Sequence, residues 1–208
     1  SINTLMYLIF DIETTGLIPK DSSNSFFKYY HTSKYDNSRM IQISYEILDS
    51  NLNVTQTKSF YINEIDEITN TNIHGITISK IKKDGISFND FIKIFSIDIQ
   101  NITTLIAHNM QFDINILFSE LYRYKHVDLL NIINNLDNKC SMLLTTDIVA
   151  IPGRFGKNKY PKLLELYNYS FNTQEIELKN AHNSKFDVEY LRLILIELKN
   201  KQIFNIFL

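Results

Sequence analysis

The sequence has little cysteine, glycine or proline and no tryptophan: one Cys, five Gly and three Pro in 208 residues. A single cysteine, Cys140, cannot form a disulfide within the chain. No apolar run reaches membrane-spanning length, and the N-terminus has no basic region followed by a secretory core. The sequence therefore predicts a soluble, intracellular protein, cytoplasmic or nuclear, that is neither secreted nor placed in a membrane.

An excess of positive charge is also missing. Lys and Arg number 21 against 23 Asp and Glu, which gives a formal net charge of −2. Without a global basic field, a polyanionic partner has to be held by local basic patches or by metal ions. The length fits one domain, which we predict over residues 1–208, and it is sufficient to bury a core.

Among the features that are present, the apolar run at residues 5–10 predicts a buried β-strand, and it leads into Asp11 and Glu13. On a strand, acids two residues apart share one face. Neighbouring carboxylates repel each other and are costly to bury, whereas a hard cation such as Mg²⁺ or Mn²⁺ removes both problems. The alternative is a strand end whose acids face water. An aspartyl-phosphate enzyme is excluded, because it would need Asp where Glu13 stands.

The remaining pattern predicts an α/β domain with a mixed sheet flanked by helices. Residues 40–48 and 54–62 predict a hairpin that continues an antiparallel meander from the first strand, and residues 103–107 predict another strand. Helices are predicted after Thr77, after Ser87, in 113–124, 127–136 and 163–169, and in a long segment opened by Asn183 or Ser184. Residues 140–148 are ambiguous between helix and strand.

Two further acids stand in the first turns of predicted helices. Asp113 follows the strand at 103–107, and Asp187 lies near the start of the last helix with His182 just before it. Each has an ordinary alternative: an acid is favoured at a helix N-terminus by the helix dipole, and a loop histidine often has no chemical task.

Two predicted loops contain positively charged residues that could contact a nucleic acid strand. Residues 19–38, with Arg39 just after them, mix Lys with Phe and Tyr, so their aromatic rings either grip a single strand or fold onto the core. Residues 151–162 contain Arg154, Lys157, Lys159 and Lys162 and no acid. We interpret this second loop as a strand-positioning element, with a solvated surface loop as the alternative.

Three motifs together resemble the DEDD exonuclease superfamily. They are Asp-Ile-Glu-Thr-Thr-Gly-Leu at 11–17, His-Asn-Met-Gln-Phe-Asp at 108–113, and His182 with Asp187. The match is to the histidine-containing branch, similar to the proofreading exonucleases of the DNA polymerase III epsilon type, since the other branch has Tyr where this chain has Asn183. The resemblance runs from residue 7 to about residue 195. The long segment 19–38, and Ser184 where many members have Ala, are departures from it.

The resemblance implies a ribonuclease-H-like fold and a metal-dependent 3′–5′ exonuclease. By analogy, Asp11, Glu13 and Asp187 hold one Mg²⁺ or Mn²⁺ ion, Asp11 and Asp113 hold a second, and His182 is the general base. Two such ions suit an in-line phosphoryl displacement.

The resemblance also implies contacts to the substrate. The residues implied are Thr14, Thr15, Leu17, Ile73, His74 and Phe112. The charge pattern of the basic loop adds Arg154, Lys157 and Lys159 to the predicted substrate contacts. Leu17 is implied to be a wedge between the last two bases, with core packing as the alternative.

The function expected is release of nucleoside 5′-monophosphates from single-stranded or frayed DNA, with DNA repair or proofreading as the setting and a polymerase as a possible partner. The alternatives are an RNA-trimming exoribonuclease of the same branch and a non-catalytic nucleic-acid-binding module. Five intact residues argue against the module, because a binder has no need of all of them: Asp11, Glu13, Asp113, His182 and Asp187.

Overall fold

The computed structural model describes residues 5–68, 70–174 and 183–208. Within these residues the chain forms one five-stranded sheet in the order β3-β2-β1-β4-β5. The strands are β1 Tyr7–Thr14, β2 Met40–Leu48, β3 Val54–Tyr61, β4 Thr104–Ala107 and β5 Asp137–Cys140. The α-helices are α1 Thr71–His74, α2 Ile78–Asp84, α3 Phe88–Asp98, α4 Met110–Arg123, α5 Val127–Asn134, α6 Ser141–Val149, α7 Leu163–Phe171 and α8 Ser184–Asn200.

The sheet is mixed, as the sequence predicts. Strand β1 lies at its centre, antiparallel to β2 and parallel to β4, while β2 pairs antiparallel with β3 and β4 pairs parallel with β5. The predicted meander is therefore confirmed. Strand β2 is buried along its whole length, because both faces of the sheet are covered, and this explains why its sequence alternates only in part.

The two faces of β1 belong to different cores. Leu8, Phe10 and Ile12 lie in the main core with residues of α3, α4 and α5. Tyr7 and Ile9 pack on the opposite side against residues of α8. Because side chains alternate along a strand, Asp11 and Glu13 continue the face that α8 covers. The acids therefore stand where an apolar strip beneath a helix gives way to polar side chains.

Helix α8 is fixed to that face by packing and by buried polar contacts. Asn183 is its N-cap, accepting a hydrogen bond from the backbone of Lys185. The apolar stripe predicted from the sequence is buried: Val188, Leu191, Ile194, Leu195 and Leu198. The Ser184 hydroxyl lies 2.6 Å from that of Ser44, and Arg192 Nε lies 2.5 Å from Glu46 Oε2. The departure at Ser184 thus has a partner on β2.

Several elements refine the sequence predictions. The ambiguous segment around Cys140 is a strand end followed by helix α6, and the one-turn helix α1 has no counterpart in the predicted pattern. In the 19–38 segment the core alternative is confirmed for four rings, since Tyr35 is buried and three others pack against the main core, namely Phe26, Phe27 and Tyr29. No helix in the described part of the chain is long and apolar enough to cross a membrane.

Candidate active site

Three carboxylates meet above the centre of the sheet. Asp11 and Glu13 come from β1 and Asp187 from the first turn of α8, and one carboxylate oxygen of each lies within 4.8 Å of those of the other two. All three side chains are partly buried. The structure thus brings together two acids of one motif and an acid more than 170 residues further along the chain.

Asp113 joins this group from a different direction. It stands in the first turn of α4, which begins just after β4, and only 3% of it is exposed. The charge of Asp11 acts on its carboxylate, and the backbone amide of Ile12 is a hydrogen-bond partner. Because β4 lies beside β1 and runs parallel to it, the start of α4 reaches the same edge of the sheet as Asp11.

Burial and mutual repulsion hold protons on these acids. Burial, and then the charge of Asp187, raise the pKa of Asp11 well above its ordinary value. Burial, followed by the charges of Asp11 and Asp187, raises the pKa of Glu13 to about 9. Burial and the charge of Asp11 raise the pKa of Asp113, against the lowering effect of the Ile12 amide. A nearby positive charge would reverse these effects.

The donor set fits a hard divalent cation. It consists of carboxylate oxygens, the ligands that Mg²⁺ and Mn²⁺ prefer. No Lys or Arg in the described residues forms an ion pair with Asp11, Glu13 or Asp113. A cation bound among these acids would supply positive charge that lowers their pKa values.

His182, predicted as the general base, lies outside the described residues. Its neighbour Asn183 caps α8, four residues before Asp187. The prediction of a general base at His182 is therefore not tested by the structure.

The turn after β1 is held rigidly and displays Leu17. The backbone N–H of Thr15 donates to the Arg39 carbonyl, and the Arg39 N–H donates to the Thr15 hydroxyl. Gly16 has no room for a side chain, because a Cβ there would lie 2.6 Å from the Asn37 carbonyl oxygen. Leu17 is 85% exposed, so the core alternative for this residue is wrong.

His74 is linked to the same turn through Asn70. Its Nδ1 accepts from the Ile76 N–H and its Nε2 lies 3.1 Å from Asn70 Oδ1. Asn70 Nδ2 in turn donates to the Thr14 carbonyl. Ile73 is 53% exposed, whereas His74 is only 7% exposed. Direct contact with a nucleotide stays a prediction for Thr14, Thr15, Ile73, His74 and Phe112.

The basic loop, residues 151–162, has one cation that is already paired. Lys159 Nζ lies 2.5 Å from Glu165 Oε1, on the first turn of α7. Arg154 and Lys157 are exposed, and no carboxylate in the described residues forms an ion pair with them. Lys162 is exposed too, but its backbone N–H donates to Glu165 and its charge helps to lower the pKa of that carboxyl. The sequence pattern could not show this difference, because Glu165 stands outside the loop.

His108 connects the basic loop to the acid-bearing edge of the sheet, a link that the sequence analysis missed. The ring lies 2.9 Å from the Pro161 carbonyl through Nε2 and 3.0 Å from the Ser141 hydroxyl through Nδ1. Burial lowers the pKa of His108 to about 4, so the ring is neutral near pH 7. A carbonyl only accepts, so Nε2 donates and Nδ1 accepts from Ser141. The sequence did contain a sign of its role, because His108 is the first residue of the 108–113 motif.

A family model agrees with this geometry. The model for RNase_T, described as an exonuclease family, matches residues 8–195. That range includes all four acids and both polar loops. No curated protein matches the chain.

Several solved exonuclease structures share the fold of this chain. The zinc-bound complex of E. coli ExoI with single-stranded DNA has a TM-score of 0.67 at 18% identity, covering 95% of this chain and 41% of that one. E. coli Exonuclease I with a dA16 oligonucleotide gives 0.66 at 15% identity, with 94% and 41% covered. A moderately thermophilic Exonuclease I from Methylocaldum szegediense gives 0.65 at 16% identity, with 95% and 41% covered. This chain thus spans about two fifths of their length.

The raised carboxyl pKa values predict that the metal-free protein loses stability as pH rises. The unfolded chain releases the Glu13 proton near pH 4.3, whereas the folded protein keeps it to about pH 9. Between these values the folded state binds more protons, so its stability falls with rising pH. In chelator at pH 8, Glu13→Gln should raise the melting temperature and flatten its pH dependence.

The matched control for that measurement is Asp128→Asn, which removes an exposed acid from α5. It should leave the slope between pH 5 and 9 unchanged, and Mg²⁺ should raise the melting temperature of the wild type more than that of Glu13→Gln. A lower melting temperature for Glu13→Gln at pH 8 in chelator would show that the acids do not destabilise the metal-free protein.

Proposed function

The chain belongs to the RNase_T exonuclease family, and from this membership we propose a metal-dependent 3′–5′ exonuclease that removes nucleoside 5′-monophosphates from single-stranded or frayed DNA. The observation that carries the proposal is the meeting of Asp11, Glu13 and Asp187 within 4.8 Å, with Asp113 beside them. The family and the fold account for the reaction class, and these acids account for the metal dependence.

Each acid has a place in the proposed site. Asp11, Glu13 and Asp187 hold one divalent ion, and Asp11 with Asp113 holds a second. When bound, these ions supply the positive charge that stabilises the attacking and leaving oxygens of an in-line phosphoryl displacement. The protein contributes a rigid frame, since β1, α4 and α8 are regular elements joined through the core.

His182 is the proposed general base. It immediately precedes Asn183, the N-cap of the helix that carries Asp187, which ties its position in the chain to the acid cluster. A neutral imidazole has an ordinary pKa of about 6.5, suited to accepting a proton from water near neutral pH. Assignment to the histidine branch depends on this role.

Single-stranded DNA is the proposed substrate. E. coli Exonuclease I, whose fold this chain shares, has been solved with single-stranded DNA and with a dA16 oligonucleotide. In this chain, Leu17 and three cations of the basic loop are exposed, namely Arg154, Lys157 and Lys162. An intracellular location and a role in repair or proofreading stay predictions from the sequence.

Asp11→Asn tests the metal-dependent reaction. The change removes a charge proposed to be shared by both ions, so digestion of a 5′-labelled oligonucleotide in Mg²⁺ should slow by several orders of magnitude. The melting temperature should not fall, because a repelled carboxylate becomes neutral. Asp128→Asn should digest at the wild-type rate. Robust digestion by Asp11→Asn, or by the wild type in excess chelator, would overturn the proposal.

The same digest, run on matched DNA and RNA, decides among the functions that the sequence left open. Faster trimming of RNA would indicate an exoribonuclease. Binding without cleavage in Mg²⁺ and in Mn²⁺ would indicate a non-catalytic module. Sequential loss of single nucleotides from the 3′ end of DNA is the result that we expect.

Leu17→Ala tests the wedge. Because the side chain is 85% exposed, its truncation should change the stability by no more than about 0.5 kcal/mol. Activity on a duplex with a paired 3′ end should fall more than activity on a single strand. Ile132→Ala, an exposed aliphatic on α5, should change neither. Equal loss on both substrates would argue against a wedge.

His182→Ala tests the general base. The rate should fall about 10²–10⁴-fold, and the rise of the wild-type rate with pH should disappear, because the base has to be neutral to accept a proton. Magnesium should still raise the melting temperature, since His182 is not proposed as a ligand. His126→Ala, which changes a histidine held by Asn89, is the control.

The direction of the pH dependence separates two roles for His182. If it acted as a cation that orients a phosphate, the wild-type rate would fall as pH passes its pKa. A rise that survives His182→Ala would belong to another group. Wild-type activity of His182→Ala at every pH would remove this chain from the histidine branch by mechanism.

A further inference from the structure

Phe155 at the tip of the basic loop is 98% exposed. Its backbone φ is +56°, in the left-handed region that is unfavourable for a bulky residue. Within the described residues its ring makes no aromatic contact. A single exposed apolar residue is ordinary, but here exposure is combined with an unfavourable backbone conformation that no packing of the ring offsets. Such outliers support a hypothesis of function.

The loop holds this conformation with its own backbone. The Gly153 N–H donates to the Lys157 carbonyl at 2.9 Å, and the Lys159 N–H donates to the Ile151 carbonyl at 2.9 Å. Gly153 has to be glycine, because a Cβ would lie 2.6 Å from the Lys157 oxygen. Asn158 also donates to Asp147 on α6. Phe155 therefore lies at the tip of a hairpin that these hydrogen bonds stabilise.

The base of the hairpin is fixed at the acid-bearing edge of the sheet. The Pro161 carbonyl accepts from His108, which follows β4 directly. In the β1–β4 pairing Ile9 stands opposite Ile106, so Asp11 and His108 each come two residues beyond a matched pair. Neighbouring strands are about 4.8 Å apart. The hydrogen bond to Pro161 thus ties the C-terminal part of the loop to the residue that follows β4, the strand next to β1.

The charges around Phe155 suit a nucleic acid strand. Arg154 precedes it and Lys157 stands two residues after it, both exposed and without an ion-pair partner among the described residues. Lys162, at the base of the loop, is exposed and shares Glu165 with Lys159. Tyr160 on the same loop is 59% exposed. Cations that meet phosphates, interleaved with rings that stack on bases, are the usual means of holding a single strand without reading its sequence.

We propose that Phe155 stacks on a base of the single-stranded nucleic acid held along the basic loop, some nucleotides away from the terminal phosphodiester. The proposal rests on the proposed function for its ligand. It adds a base-stacking residue to a loop in which sequence reasoning had found only cations.

The test pairs removal of the ring with removal of a base. A fluorescein-labelled dT oligonucleotide of about twelve nucleotides, with an abasic site at each position in turn, is titrated by anisotropy in the Asp11→Asn background with Mg²⁺. Phe155→Ala should weaken binding of the intact oligonucleotide roughly 5- to 150-fold, the usual effect of losing one stacked base. One abasic position should weaken binding to the parent protein and have no further effect on Phe155→Ala.

A second measurement uses the absence of tryptophan from the sequence. Phe155→Trp introduces a single indole that should keep the affinity and be quenched when the oligonucleotide binds. Ile97→Trp is the matched control, since Ile97 is 67% exposed near the chain's entry into β4, opposite the end where His108 leaves. Its fluorescence should not change.

Folding is checked in the same series. Phe155→Ala and Phe155→Gly should not lower the melting temperature, because the ring is exposed and glycine accepts the positive φ. Phe155→Gly should nevertheless lose affinity as Phe155→Ala does. This combination separates stacking from a structural role of the ring.

The outcomes separate the two proposals. If the wild type digests DNA but no abasic position couples to Phe155, stacking is wrong and the exonuclease stands. If the wild type does not digest but the coupling and the quenching appear, the exonuclease is wrong and stacking stands. Unchanged affinity of Phe155→Ala, or no binding of the oligonucleotide by the parent protein, would overturn the stacking proposal.

Discussion

The repulsion among four acids, one buried and three partly buried, is the constraint on which the rest of the structure depends. Burial alone disfavours a carboxylate, and each neighbour makes its ionisation harder, as the pKa of about 9 for Glu13 shows. Electrostatic repulsion would move such acids apart if the strand and helices that carry them were not held in place. Here the scaffold resists because each acid is carried by an element whose other residues are fixed in an apolar core.

The scaffold also moderates the repulsion. Asp113 and Asp187 are each the fourth residue of a helix, α4 and α8. The N-terminus of a helix carries partial positive charge, which favours an anion in the first turn. Both helices present this end to the acids from β1. The arrangement lowers the energy of the ionised cluster. In the part of the chain that the structure describes, no Lys or Arg forms an ion pair with Asp11, Glu13 or Asp113, so these acids stay available to a cation.

The same reasoning shows which features the sequence could predict. The spacing of Asp11 and Glu13 follows from strand alternation, and the places of Asp113 and Asp187 follow from helix starts, so local rules predicted the element that carries each acid. That the four acids meet was implied only by the resemblance to the DEDD superfamily. The pairing of Lys159 with Glu165 and the hydrogen bond from His108 to Pro161 join residues through tertiary structure, which no local pattern encodes. Strand β5 escaped prediction because its residues, Asp137–Cys140, are polar and half exposed at the sheet edge.

The two most exposed apolar side chains near the site have a common construction. Leu17 follows Gly16 directly and Phe155 stands two residues after Gly153, and at each of these two glycines a Cβ would collide with a backbone carbonyl. In each turn, backbone contacts fix a conformation that keeps an apolar group out of the core. A protein with a net charge of −2 cannot attract a polyanion by its overall field. Contacts between apolar side chains and bases do not depend on the overall electrostatic field of the protein, and they accept any base. Under the proposed function, they are therefore suited to a site whose carboxyl groups, before metal binds, offer a strand no positive charge.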